Sequence, residues 1–296
     1  EILFRTKLSE NLFKGLAPWM QKLPGGLIHV NVVGCALFAA ISGSSAATVA
    51  TVGKMSIPEL RKRKYPEKIL LGSLAGSGTL GLLIPPSIIL IIYGVTVQES
   101  IAKLFIAGII PGIMIALIFM SYVIIWSLMN KKSMPKSLEN SSFIEKVKKS
   151  KQLMPVILLI LAVIGSIYTG IATATEAASL GVVGALILSF FQRSLTKETF
   201  RASLLGATKT SCMIAFILAG ATFLSLAMGF TGLPRNLAIW IQGMELSPYV
   251  LIFVLMIFYI ILGMFLDGIS AVVLTMAIIE PMIRQAGFDM IWFGIF

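Results

Sequence analysis

The sequence predicts an all-α, polytopic membrane protein. Of its 296 residues, 57% are hydrophobic and only 12% are charged, whereas soluble domains carry about 25% charged residues. Apolar stretches long enough to cross a bilayer, which takes about 20 residues, recur along the chain. The 24 Lys and Arg residues fall almost entirely between these stretches, as expected for loops that fix the orientation of a membrane protein.

The apolar stretches divide the chain into five regions. In order, these are a cytoplasmic amphipathic or connecting segment (1–27), a first hairpin with a broken helix in a transport domain (28–95), a membrane helix with a basic cytoplasmic loop (96–152), membrane helices of a second repeat (153–248), and a second hairpin with the start of a truncated helix (249–296). The membrane segments expected within them are 28–53, 69–95, 104–129, 153–172, 174–191, 206–229, 249–266 and 269–283, with another starting near 291.

Basic residues on both sides of segment 28–53 predict that it does not cross the membrane. Basic loops stay cytoplasmic, so this segment is expected to enter from the cytoplasm and return, turning at Ser42–Ser45, where glycine permits a positive φ and serine caps helix ends. By the same reasoning, 249–283 enters from the outside and turns near Asp267–Gly268. Two re-entrant hairpins of opposite entry are typical of an inverted-topology repeat.

A weak internal similarity between the two hairpins favours such a repeat. Chance similarity is the alternative. The matched features, each at a similar distance after its turn, are Pro58 with Pro281, Tyr65-Pro66 with Phe288-Asp289, and Leu71-Gly72 with Phe293-Gly294.

Small and helix-breaking residues interrupt the apolar sequence between Ser42 and Ser87. In hydrocarbon, a broken helix is tolerated only where it is buried or lines a cavity, and secondary transporters hold ions and substrate at such breaks. Pro85 and Pro86 lack N–H groups and so release carbonyls of the run Gly76–Gly81. Close packing of helices through small residues explains the Gly and Ala residues, but it does not explain the two prolines within a span.

The freed oxygens suit an alkali cation such as Na⁺, and the helix N-termini that follow each break favour an anionic substrate group. We therefore predict two overlapping sets of residues. The Na⁺ set is Ser42, Gly43, Ser44, Ser45, Gly78, Thr79, Gly81 and Asp267. The substrate set is Ser44, Ser45, Pro85, Pro86, Ser87 and Gly268.

Three acidic residues lie within or at the ends of apolar segments, where a charge is costly and is by default a functional hypothesis. Asp267 at the second turn is expected either to bind a cation or to cap the following helix. Glu176 is interpreted as a helix cap rather than an ion ligand, and Glu280 as interfacial. His29 is expected to pack, and Cys35 and Cys212 to be small core residues.

Composition and motifs exclude several function classes. The formal charge of +11 is interpreted as the positive-inside bias rather than a nucleic-acid surface. The sequence contains no catalytic constellation and no phosphate loop, so an enzyme is not expected and no cofactor besides Na⁺ as coupling ion is predicted. The Lys-rich loop 130–152 is expected to be a solvated linker, with a surface helix against anionic lipid as the alternative. Pro135 argues against one unbroken helix there.

Six motifs together resemble a known family, the large membrane subunit of the tripartite ATP-independent periplasmic (TRAP) transporters. They occur in the order and spacing of that family over nearly the whole chain. They are GSSAAT (43–48), YPEK (65–68), GTLGLLIPPS (78–87) followed by Tyr93-Gly94, LFIAGIIPG (104–112), TATEAA (173–178) and GMFLD (263–267).

The resemblance implies an importer of the bacterial inner membrane with an elevator-type transport domain, coupled to Na⁺. It implies an organic acid delivered by a periplasmic solute-binding protein, and a small membrane subunit, separate or fused, that braces the scaffold. It also implies ion sites at Ser42–Ser45 with Gly78–Gly81 and near Asp267. Ala174 stands where the family usually has proline. The first helices and the closing broken helix of the family are missing, so we expect a fragment that does not transport alone.

Two other functions are compatible with the same pattern. A self-sufficient divalent-anion/Na⁺ symporter shares the hairpin plan and would transport without a binding protein. A scaffold subunit with no site of its own would bind no ion and would tolerate substitution in the hairpins.

Overall fold

The computed structural model describes residues 1–296 except 6–7, 136–142, 152, 233–235, 237–238, 241–242 and 244–246, and for 4 and 8–12 it describes the backbone alone. Throughout that part of the chain the regular secondary structure is helical, which confirms the all-α class. The α-helices are α1 (Leu8–Met20), α2 (Ile28–Ser42), α3 (Ser45–Lys62), α4 (Glu67–Gly78), α5 (Leu80–Leu83), α6 (Ile88–Thr96), α7 (Ile101–Met129), α8 (Phe143–Ser150), α9 (Met154–Tyr168), α10 (Ala174–Phe191), α11 (Lys197–Thr231), α12 (Pro248–Gly263), α13 (Gly268–Gln285) and α14 (Met290–Ile295).

Four of the described helices, α7, α10, α11 and α13, are long and apolar enough to cross a membrane. Two combinations, α4 and α5 with α6 and α8 with α9, meet the same criterion when each is counted as one broken span. These helices support a multi-pass membrane protein. By contrast, α2 has 15 residues and is about 22 Å long, which is too short for a hydrocarbon core of about 30 Å.

The chain forms two compact units, residues 1–87 with 108–206 and residues 88–107 with 207–296. In the first unit, α2 packs against both α3 and α4. Buried apolar side chains from these three helices form its main core, namely Val30, Cys35, Phe38, Val52, Leu60, Leu70 and Leu74. A second cluster joins α2 to α5 and α7 through Val32, Ala39, Leu80, Ile84, Ile115 and Phe119.

Helices α2 and α3 form a helical hairpin whose turn lies at the predicted position. Gly43 ends α2 in the left-handed region, at φ 60°, and Ser44 is extended and caps α3. The helices then run back along each other, since Ser42 contacts Thr48 near the turn and Gly34 faces Val52 further away. The hairpin is therefore present, and its re-entrant placement in a bilayer stays a prediction.

Part of the Lys-rich loop is a helix, so the expected solvated linker is wrong for α8. Trp19 of α1 donates a hydrogen bond from Nε1 to Ser150 Oγ at 2.7 Å, and its ring contacts Phe143 edge-on. These contacts with α1 hold α8 in place. Residues 136–142 of the same loop lie outside the described residues, and Pro135 itself is not helical, so the loop is not one unbroken helix, as that proline predicts.

The second unit contains the second helical hairpin, formed by α12 and α13. Tyr259 and Thr275 share a hydrogen bond between their hydroxyls at 2.8 Å, on either side of the turn at Met264–Asp267. Tyr93 of α6 donates from its hydroxyl to Met290 O at 2.6 Å. The turn again lies at the predicted position.

Helices α3 and α13 share features that strengthen the prediction of an internal repeat. Each has 18 residues, follows an extended N-cap, and carries its proline at the same position. A left-handed residue follows each helix, Lys64 at φ 60° and Gly287 at φ 82°. The next N-caps, Pro66 and Asp289, keep the same register. The proposed match of Leu71-Gly72 with Phe293-Gly294 falls one residue out of this register.

The two cysteines differ in environment. Cys35 is buried on α2, as expected, but Cys212 is exposed on α11, so its expected core position is wrong. An apolar neighbourhood in sequence does not separate a protein-facing position from a lipid-facing one, because both are apolar in a membrane helix.

Candidate functional site

The tip of the first hairpin is a compact cluster of serine and threonine groups. Ser42 Oγ and Thr48 Oγ1 lie 2.7 Å apart, and each of these hydroxyls also lies within hydrogen-bond distance of Ser44 O, at 3.2 and 2.7 Å. Ser44 Oγ accepts from Ala47 N at 3.5 Å, as an N-cap. These bonds fix the turn and concentrate oxygen atoms at it. Each hydroxyl oxygen has lone pairs for more than one partner.

The interruption between α4 and α5 lies directly against this tip. A methyl group added at Gly81 would lie 2.9 Å from the carbonyl carbon and oxygen of Ser44 and 3.0 Å from Ser45 N. A methyl group at Gly78 would overlap Val49 Cγ2 and lie 3.7 Å from Ser45 O. Only glycine permits this approach of one backbone to another. The structure thus brings Ser44 and Ser45 together with Gly78 and Gly81.

The Pro85-Pro86-Ser87 segment completes the interruption. Its two prolines, joined by a cis peptide bond, remove the N–H groups that would bond to the carbonyls of Gly81 and Leu82 in a continuous helix. Ser87 Oγ replaces one of them by donating to Leu82 O at 2.5 Å. Because Pro85 has no N–H group, the Gly81 carbonyl lacks its usual helical hydrogen bond at the place where Gly81 meets the hairpin tip.

Not every predicted residue lies equally close to this contact. Thr79 is exposed, and its Oγ1 donates to Gly76 O at 2.7 Å within the same helical segment. Pro85 and Ser87 are buried, and Pro86 is half-buried. Gly43 is buried at the turn itself. Asp267 and Gly268 belong to the second unit.

Asp267 caps α13. Its Oδ2 accepts from Ile269 N at 3.1 Å and Ser270 N at 3.3 Å, and its Oδ1 accepts from Ser270 Oγ at 2.5 Å. The capping alternative predicted for this residue is therefore present, while cation binding stays a prediction. A carboxylate has about four acceptor positions, so these three bonds leave capacity for a further partner.

The other singled-out side chains have structural partners. Glu176 closes a capping box with Thr173, as expected for a helix cap. Glu280 accepts from Arg284 Nε at 2.9 Å. His29 is buried, with Nε2 2.8 Å from Pro24 O, which agrees with a packing role.

Sequence reasoning missed Asn31, a buried polar residue on α2. Its Nδ2 donates to Leu70 O at 3.2 Å and Ser73 Oγ at 3.1 Å on α4, and its main-chain carbonyl accepts from Ser77 Oγ. These bonds fasten the hairpin to the broken helix that carries Gly78. A lone asparagine within the apolar run of α2 is the signal that could have identified it.

Known proteins resemble the chain along its whole length. The family model described as "Tripartite ATP-independent periplasmic transporter, DctM component" matches residues 1–296. The chain is 34% identical over 272 residues to the C4-dicarboxylate TRAP transporter large permease protein DctM of Pseudomonas aeruginosa, covering 92% of this chain and 63% of that protein. It is 31% identical over 291 residues to the sialic acid TRAP transporter large permease protein SiaM of Vibrio cholerae, covering 97% and 67%.

A third relative is the isethionate TRAP transporter permease protein DctMQ of Oleidesulfovibrio alaskensis. It is 32% identical over 290 residues, covering 97% of this chain and 45% of that protein. The chain therefore spans less than two thirds of the length of the Pseudomonas and Oleidesulfovibrio relatives.

Proposed function

The chain belongs to the DctM component family of tripartite ATP-independent periplasmic transporters, and on that premise we propose that it is part of a Na⁺-coupled importer of an organic acid in the bacterial inner membrane. In this proposal a periplasmic solute-binding protein delivers the substrate. A small membrane subunit supports the scaffold. The two helical hairpins are re-entrant, enter from opposite sides, and move with the transport domain in an elevator mechanism.

The contact of Gly81 with Ser44 and Ser45 is the observation that carries this proposal. It brings the Ser44 carbonyl and the hydroxyls of the hairpin tip next to the interruption between α4 and α5, and oxygen atoms of this kind are the ligands that hard cations prefer. Pro85 adds the released Gly81 carbonyl. Na⁺ would then tie the tip to the interrupted helix, so its occupancy would stabilise one arrangement of the two elements.

The start of α3 supports an anionic substrate next to this ion site. Ser44 and Ser45 lie at the N-terminus of α3, where main-chain N–H groups and the helix dipole favour a carboxylate. Bound Na⁺ would strengthen that attraction, and a carboxylate would in turn help to retain the cation. This reciprocity is a physical basis for coupling. The names of two relatives, a C4-dicarboxylate permease and a sialic acid permease, support an organic acid as the substrate class.

The test uses the complete transporter in vesicles, with the full-length large subunit, the small subunit and the binding protein. Uptake of a radiolabelled C4-dicarboxylate and of sialic acid is measured with an inward Na⁺ gradient and with K⁺ in its place. We expect uptake of one of these acids only with Na⁺. Uptake at the same rate in K⁺ would refute the coupling, and uptake without the binding protein would support the self-sufficient symporter instead.

A matched pair of variants tests the site within the same assay. Gly81→Ala is expected to lower Na⁺-driven uptake at least tenfold, because its methyl group forces apart the backbones of the tip and the broken helix. Gly72→Ala, on α4, is the control, since a methyl group there meets nothing within 4 Å. Equal uptake by the two variants would contradict a site at this contact and would favour the scaffold function.

A further inference from the structure

The outer face of α8 presents apolar side chains next to lysines. Phe143 is 69% exposed, Ile144 76% and Val147 40%, and Trp19 of the neighbouring α1 adds a further apolar surface at 40%. At 100° per residue, the three α8 side chains fall on one side of the helix, while Lys148 and Lys149 fall on the other sides. Such a division is typical of helices that lie in the plane of a membrane surface.

Contacts with α1 leave most of this face exposed, although the ring of Trp19 contacts Phe143 edge-on. Lys146 is buried with its Nζ 5.6 Å from the centre of the Trp19 ring, so its charge is used in a cation–π contact. Ser150 Oγ accepts from Trp19 Nε1 at 2.7 Å. A methyl group at Gly15 would clash with Leu153, so α1 also packs closely against the start of α9. Helices α1 and α8 therefore pack against each other, and the side of α8 that faces away from α1 is exposed.

The bend after α8 sets its direction apart from that of the apolar helix that follows it. Within a few residues α8 is followed by α9, an apolar helix from Met154 to Tyr168, and the two helices are bent by 57°. If α9 enters the bilayer, this bend turns α8 away from the axis of α9, and α8 stays at the surface. Lys148, Lys149 and Lys151 are exposed there, on the side that the basic loops make cytoplasmic.

We propose that Phe143, Ile144 and Val147, together with Lys148 and Lys149, bind the anionic phospholipid surface of the cytoplasmic leaflet. The apolar side chains enter the headgroup boundary, and the ammonium groups contact phosphate oxygens above them. The surface would anchor the α1–α8 pair at a fixed depth beside α2, against which α1 packs. This binding does not depend on Na⁺ coupling.

The first experiment measures the depth of α8. Full-length protein carrying Cys212→Ser and Ile144→Cys is labelled with a nitroxide and reconstituted in vesicles of phosphatidylcholine with phosphatidylglycerol. We expect relaxation by oxygen and protection from a water-soluble nickel chelate. A label at Lys62, an exposed residue at the end of α3, is the water-exposed control. Equal relaxation of both labels by nickel would overturn the proposal, as would protection of the label at position 144 only when the small subunit is added.

The second experiment measures the headgroup preference. Native mass spectrometry compares how strongly full-length protein retains phosphatidylglycerol and phosphatidylcholine at low ionic strength. Lys148→Gln with Lys149→Gln is expected to weaken phosphatidylglycerol retention by about thirtyfold and to leave phosphatidylcholine unchanged. Lys62→Gln with Lys64→Gln removes the same charge at the end of α3, where no large apolar side chain of the described residues is exposed nearby, and is expected to have a smaller effect. Equal losses in both double variants would overturn the assignment to α8.

Discussion

Arg284 Nη2 lies 3.5 Å from Glu99 Oε1, which joins the end of α13 to the segment between α6 and α7. The same guanidinium donates to Val97 O at 3.1 Å and pairs with Glu280 at 2.9 Å. Planar guanidinium groups serve several acceptors at once. Arg284 therefore ties the second hairpin to the rest of the second unit.

Removal of this guanidinium is expected to destabilise the second unit. Arg284→Gln should lower the free energy of unfolding by about 1 kcal/mol at low salt and by less at high salt, because the groups are partly exposed and screened. The measurement is thermal unfolding of the detergent-solubilised full-length protein at two NaCl concentrations. Arg63→Gln is the control, since Arg63 pairs with Glu59 of its own helix. An equal, salt-independent shift in both variants would contradict a cross-linking role.

The two glycines that face the hairpin tip are expected to respond differently to a second substitution. Gly78→Ala introduces a methyl group that overlaps the side chain of Val49, and overpacking of this kind costs about 1–3 kcal/mol. Val49→Ala should restore much of the stability and uptake of Gly78→Ala. It should not restore Gly81→Ala, whose methyl group meets the backbone of Ser44. Strictly additive effects in the Gly78–Val49 cycle would show that the two positions are not in contact.

Local breaks made the turns predictable from the sequence. Gly43 permits a positive φ, and Asp267 caps the helix that follows it. A single residue therefore identifies each turn. The prolines at 85 and 86 likewise predict an interrupted helix without knowledge of its neighbours. Such features depend on a few adjacent residues, and the structure has them where the sequence predicts them.

Contacts between distant residues were not predictable in the same way. Trp19 and Ser150 are 131 positions apart, and nothing in the local sequence pairs α1 with α8. The segment that forms α8 was therefore predicted to be a linker. Cys212 illustrates the second difficulty, because an exposed membrane helix and a protein core have similar composition. The close approach of Val49 to Gly78 and of the Ser44 backbone to Gly81 likewise depends on the packing of the hairpin against α4 and α5, which the local sequence does not reveal.

The role of Asn31 can be tested by comparing two replacements. Asn31→Ala removes two donated hydrogen bonds and is expected to cost about 1–2 kcal/mol. Asn31→Asp should cost more, because its oxygen would face the Leu70 carbonyl that Nδ2 now bonds to, and because a buried acid is desolvated. Thermal unfolding of the two full-length variants tests this order. Greater stability of the aspartate variant would contradict the donor role of Asn31 in fastening α2 to α4.

Asp267 offers a test that separates capping from cation binding. Asparagine caps helices about as well as aspartate, whereas alanine costs about 1 kcal/mol, so Asp267→Asn should keep the thermal stability that Asp267→Ala loses. If the carboxylate also binds Na⁺, as we propose, the asparagine variant loses a negative charge and should need several times more Na⁺ for half-maximal uptake. Both variants are measured in the complete transporter, with Ser270→Ala as a control that removes one bond to the carboxylate and leaves its charge. An unchanged Na⁺ requirement in Asp267→Asn would leave Asp267 as a helix cap alone, and the ion site would then rest on the first hairpin.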